Sequence, residues 1–86
     1  MALIKLRKKI DRIDSKILKL LAKRLKVCRE LGKYKHENNL PIQNKEREKQ
    51  VTRQRIEKFK ELGVDDEEFV TELFEVIMKK AREVQK

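Results

Sequence analysis

The sequence predicts an all-α fold, and three observations carry that prediction. Apolar residues recur three or four apart over long stretches, the spacing that lines one face of an α-helix. Only two glycines and one proline interrupt the chain, and no segment alternates as a half-buried strand would. The turn-forming residues gather in two short places, 38–41 and 63–66, and divide the chain into three helical segments. The expected elements are a long first helix over about 3–36, a second over about 45–62 and a third over about 66–85, forming one domain across 1–86.

The first helix follows from one continuous stripe: Leu3, Leu6, Ile10, Ile13, Ile17, Leu20, Arg24, Cys28, Leu31 and Lys35. It should stop at Asn38-Asn39-Leu40-Pro41, because proline disfavours helical backbone at the residue before it and asparagine suits turns. Asn44 is placed to cap the second helix, and Gly63 fits the position just beyond its end. Asp65 or Asp66 then caps the third, with Glu68 three residues after Asp65 in a capping-box pattern. That helix carries Val70, Leu73, Ile77, Ala81 and Val84 on one face, with Phe74 alongside.

Length adds a constraint on assembly. A helix of about 34 residues is roughly 50 Å long, whereas a compact chain of this size is only about 30 Å across. Leu18, Leu21 and Leu25 also give the first helix a second apolar face. Two short helices cannot cover both faces, so the prediction is an intertwined homodimer with long helices packed on each other.

Two cations interrupt the apolar stripe. Arg24 and Lys35 fall at its centre, three helical turns and about 16 Å apart along the axis. A charge buried without a partner costs several kcal/mol, so an inward-facing Arg and Lys call for anions. The chain has few acids at matching positions, and a bound small anion is the economical answer. A net charge of +9 agrees with an anionic partner. Asn44, Glu48 and Val51, with Arg47 at the margin, form a polar cluster on one face of the second helix, at an N-terminus whose dipole also favours anions. Gln85 stands four residues after Ala81, beside the third helix's stripe. Arg7 lies about 25 Å from Arg24 and roughly 100° round the helix, so the two can meet only across an antiparallel dimer.

Composition excludes several classes. Cys28 is the one cysteine, which rules out an internal disulfide and a cysteine-based metal site, and reads as a small buried hydrophobe. No segment approaches the roughly 20 apolar residues of a membrane span, so a cytoplasmic protein without membrane association is expected. The dominance of lysine and glutamate among the charged residues points to a thermophilic source. A basic helical nucleic-acid-binding module is the rival reading. Against it, the cations are spread over several helix faces, aromatics for base stacking are scarce, and no short turn joins two helices.

The pattern resembles the AroQ class of chorismate mutases over nearly the whole chain. The resemblance is carried by Leu6-Arg7-Lys8-Lys9-Ile10-Asp11-Arg12-Ile13-Asp14, by Leu20-Leu21-Ala22-Lys23-Arg24 and by Gly32-Lys33-Tyr34-Lys35. Pro41-Ile42, Asn44-Lys45-Glu46-Arg47-Glu48, Leu73-Phe74 and Gln85 complete it. It implies a cofactor-free, metal-free isomerase of aromatic amino-acid biosynthesis that converts chorismate to prephenate in a helical dimer with two composite sites. By the same resemblance, Arg24 and a partner's Arg7 hold the substrate's two carboxylates. Lys35 binds a carboxylate and the ether oxygen, and Gln85 binds that oxygen from the other side. Glu48 accepts from the ring hydroxyl, and Arg47 supports a carboxylate more peripherally.

Two positions depart from the family's common pattern. Asn44 stands where many relatives have Asp, and Ala81 where they have a small polar residue. Asn44 keeps an acceptor to share hydroxyl binding with Glu48, whereas a contact at Ala81 must come from backbone, water or Arg47. Isochorismate-pyruvate lyases share this architecture and are the alternative within the fold.

The chemistry is compatible with these residue types. A pericyclic rearrangement needs no nucleophile, metal or proton transfer, only a flexible dianion held in a reactive shape and donors for the breaking ether bond. With glutamine at 85 that donor does not titrate, so activity is expected to be nearly flat from about pH 5 to 8.

Overall fold

The computed structural model describes residues 1–86 as three helices and no strand: α1 (Ala2–Glu37), α2 (Lys45–Glu61) and α3 (Glu67–Gln85). Each agrees with the sequence expectation to within one or two residues, and the termini show why. At the end of α1, Asn39 takes a left-handed φ of 54°. The Leu40 amide then donates to the Lys35 carbonyl at 2.8 Å and the Asn39 amide to His36 at 3.3 Å. These are the two bonds of a Schellman closure, with asparagine in the place glycine usually takes. The same closure ends α2: Gly63 has φ 92°, the Val64 amide reaches the Phe59 carbonyl at 2.9 Å and the Gly63 amide reaches Lys60 at 2.9 Å.

The N-termini are capped by side chains. The Asn44 Oδ1 accepts from the Arg47 amide at 3.0 Å, and the Asp66 Oδ1 accepts from the Phe69 amide at 3.0 Å. Asp66 is therefore the cap of α3. An Asp65–Glu68 box requires Asp65 in that place, one residue earlier, and does not form.

Helix α3 is the central element. It packs against both α1 and α2, whose backbones do not approach each other. At the far end, the rings of Phe59 and Phe69 lie 6.1 Å apart and join the end of α2 to the start of α3. Met78 and Ala81 of α3, Cys28 and Gly32 of α1 and Val51 of α2 are buried near the helix crossings, with Val70 buried farther along α3.

One half of α1 has no cover within the chain. The protein measures 56 × 24 × 17 Å with a radius of gyration of 16.0 Å, against about 12 Å for a compact chain of its length. All of residues 1–20 are exposed. Leu3, Leu6, Ile10, Ile13, Ile17 and Leu20 retain 48–66% of their accessible surface. The predicted stripe is thus covered only in its second half, where Cys28 is buried and Arg24 and Lys35 are half-buried while Leu31 stays 43% exposed, because α3, at about 1.5 Å per residue, is too short to run the length of α1. No helix is long and apolar enough to cross a membrane.

Candidate active site

The three helices line a half-open cavity of about 170 Å³ beside the buried cluster. Helix α1 contributes Arg24, Cys28, Leu31 and Lys35, a four-three-four spacing that keeps them on one face. Helix α2 presents Arg47, Glu48, Val51 and Arg55 from its first three turns, and Asn44 caps it at the rim. From α3 come Met78, Ala81, Arg82 and Gln85, and Ile42 closes the wall from the connection between α1 and α2.

Lys35 is the best-anchored cation. Its Nζ donates to the Ile42 carbonyl at 2.7 Å and to the Gln85 Oε1 at 2.8 Å. The closure that ends α1 turns the chain back over the last helical turn, and this brings the Ile42 carbonyl above Lys35. An ammonium has three protons, so one remains for a ligand. Gln85 in turn donates from Nε2 to the Ala81 carbonyl at 3.0 Å and keeps its second amide proton free. Two spare donors, on Lys35 and on Gln85, therefore stand side by side on the cavity wall.

The charge is strongly unbalanced. Arg24, Lys35, Arg47, Arg55 and Arg82 line the cavity, and Glu48 is its single carboxylate. Glu48 is engaged by Arg82 at 2.7 Å. Arg24 finds only the Cys28 sulfur at 3.7 Å, and Arg47 turns to Gln50 along its own helix at 2.8 Å. Arg55 lies over the Phe74 ring at 5.9 Å. Four cations thus face the cavity without an ion-pair partner, an arrangement that selects for a small polyanion.

Of the residues singled out from sequence, Arg24, Lys35, Asn44, Arg47, Glu48, Ala81 and Gln85 come together around this cavity. Arg7 does not: it lies on the exposed half of α1, away from the cavity of its own chain. Arg55 and Arg82 were not anticipated. Arg55 follows Val51 by four and Glu48 by seven, so the helical repeat already put it on the same face of α2. Arg82 had a weaker signal, as the neighbour of Ala81 three residues before Gln85.

Fold and site define a small all-α protein with a cationic pocket between three helices. Comparison with known proteins makes the family specific. Residues 6–86 match the family model described as chorismate mutase type II. The chain is 39% identical over 85 residues to a chorismate mutase from Methanocaldococcus jannaschii, covering 98% of this chain and 84% of that one. It is also 39% identical over 75 residues to a bifunctional chorismate mutase/prephenate dehydratase from Aquifex aeolicus, where 85% of this chain matches 21% of the longer protein. Among solved structures, a conserved hypothetical protein from Pyrococcus furiosus superposes with a TM-score of 0.80 at 40% identity, over 100% of this chain and 97% of that one. The chain belongs to the type II chorismate mutase family, whose members are isomerases.

Proposed function

We propose that the cavity binds chorismate and carries it through a Claisen rearrangement to prephenate, in a cytosolic homodimer with two composite sites, as part of aromatic amino-acid biosynthesis. The observation that carries this reading is the pair of spare donors on Lys35 and Gln85 inside a pocket with four unpaired cations. In the rearrangement the ether C–O bond breaks as a C–C bond forms in one cyclic electron shift. No proton moves, and negative charge gathers on the ether oxygen. Lys35 and Gln85 each give their spare proton to that oxygen, Arg24 holds one carboxylate, and the charge of Lys35 also attracts a carboxylate. Glu48 accepts from the ring hydroxyl beside Asn44, while Arg47 stands at the rim and the backbone at Ala81 completes the wall. Preorganised donors of this kind are the largest source of transition-state stabilisation available without a covalent step.

By the family resemblance, Arg7 of a second copy joins the cations of this cavity to hold the second carboxylate. Support for that copy is the bare stripe of α1. Burying the remaining surface of six Leu and Ile side chains contributes roughly 1 kcal/mol each, about half the value of a full burial. The stripe continues into the face that carries Arg24 and Cys28, so a helix laid along it ends against the cavity. The lysine- and glutamate-rich composition favours a thermophilic source.

The test is to incubate the purified protein with chorismate and follow its loss and the appearance of prephenate. Absence of turnover by the folded protein sinks the reading. Release of pyruvate from isochorismate, with chorismate untouched, would replace it by the lyase reading of the same fold.

A further inference from the structure

We infer that Arg82 is a positioning residue that fixes the Glu48 carboxylate as the acceptor for the substrate's ring hydroxyl. The inference rests on the role given to Glu48 above and extends it to a residue on another helix. The Arg82 Nη1 stands 2.7 Å from the Glu48 Oε2, with the two side chains only 29% and 23% exposed. Every other ion pair in the chain has both partners at least 37% exposed. Surface pairs of that kind contribute little, whereas a short, shielded pair holds geometry.

The pair is also non-local, joining α2 to α3 across the cavity. Glu48 would otherwise be the lone carboxylate among Arg24, Lys35, Arg47 and Arg55, free to swing onto whichever cation came nearest. There it would occupy a donor meant for the substrate's own carboxylates. Arg82 takes one lone pair of Oε2, and Gln43 Nε2 donates more weakly to Oε1 at 3.3 Å. Each carboxylate oxygen keeps an accepting site, so the hydroxyl can bind without displacing Arg82.

Arg82 lies one turn before Gln85 on α3. The acceptor for the hydroxyl and the donor for the ether oxygen are therefore set by one rigid helix. This fixes the ring's position relative to the bond that breaks.

A double-mutant cycle on chorismate turnover tests the inference. Arg82→Met is expected to lower kcat/KM about tenfold, the scale of a lost orienting contact, and Arg82→Lys to restore most of it. In the Glu48→Gln background, Arg82→Met should change kcat/KM less than twofold, because the group it positions is gone. An equal loss in both backgrounds, or full activity in Arg82→Met alone, overturns the inference. If Arg82→Met fails to fold, Arg82→Gln keeps the side chain's length and polarity and is read by the same cycle. Wild-type protein in the same assay separates the two levels. No turnover by wild type overturns the reading of the site itself, whereas normal turnover with additive losses overturns only the role of Arg82.

Discussion

Gly32 of α1 and Gln85 of α3 are in backbone contact. A Cβ placed on Gly32 would stand 2.6 Å from the Gln85 Cα, 2.8 Å from its carbonyl oxygen and 2.9 Å from its Cβ. Real Cβ atoms do not approach so closely, and the obstacle is helix backbone that cannot rotate away. The absence of a side chain at 32 thus lets α3 come near enough for Gln85 to meet Lys35 at 2.8 Å, three residues farther along α1.

Gly32→Ala follows directly. Alanine gains about 1 kcal/mol of helix propensity over glycine, whereas overpacking a close crossing costs about 1–3 kcal/mol. Overpacking wins, so the melting temperature should fall. Separation of Lys35 from Gln85 should also cost at least tenfold in kcat, the scale of a misplaced donor. A variant that keeps wild-type kcat would show that the Lys35–Gln85 contact does not require this close approach.

Activity and stability should part company at Arg24 but fall together at Lys35. Arg24→Ala and Lys35→Met each remove a substrate contact, and a loss of about 10²-fold or more in kcat/KM is expected. Neither removes an ion pair and both lower the positive charge of a pocket with four unpaired cations, but Lys35→Met also gives up the bonds to the Ile42 carbonyl and the Gln85 Oε1. Thermal melts should therefore show unchanged or raised stability for Arg24→Ala, as is common where a site is strained for function, and lowered stability for Lys35→Met, where two part-buried acceptors lose their donor. If Arg24→Ala retained full activity, the carboxylate anchor would lie elsewhere.

In the proposed dimer, stability should depend on concentration. Ile13→Asp puts a charge in the middle of six apolar residues and should convert a dimer into a poorly folded monomer, visible by sedimentation and circular dichroism. A wild-type protein that stays monomeric and melts at the same temperature over a hundredfold dilution series would refute the dimer.

Arg7 can be tested by mixing. In the proposed dimer, equal amounts of Arg7→Ala and Arg24→Ala protomers, each expected to be inactive alone, should form hybrids in which one of two shared sites has both arginines. Random exchange should then restore about one quarter of wild-type activity. Proven exchange without recovery would contradict a role for Arg7 across the interface.

Lys60 provides the pH-dependent case. Its Nζ lies 3.1 Å from the Glu67 carboxylate and 4.0 Å from Asp65. The hydrogen bond to Glu67, before the charges of Glu67 and Asp65, raises its pKa above 10.5. The folded state thus holds the proton more tightly than the unfolded one. Its contribution is fully present below the unfolded value and is lost as pH climbs through the raised folded value. The pair is exposed and the effect small. Lys60→Met should melt slightly below wild type at pH 8, with the two curves converging as pH passes 10.5. A constant offset across that range would mean packing, not charge, is responsible.

Much of this molecule was legible in the residues alone because the information is short-range. Helical periodicity, the Asn44 cap, the Gly63 closure and the placement of Arg24 and Lys35 on one face depend on neighbours within a few positions. Ordering of the site residues along each helix follows from the same arithmetic, and so does the excess length of α1. What needed the folded chain is where helices cross. The Lys35–Gln85 bond links positions 50 apart, and the Arg82–Glu48 pair links positions 34 apart. Neither is set by local spacing, since both depend on the angle and depth at which α3 meets its neighbours, which Gly32 helps to determine. Tertiary structure alone also decided which half of the α1 stripe is covered within the chain and which is left bare, because that depends on where a shorter helix comes to rest along a longer one.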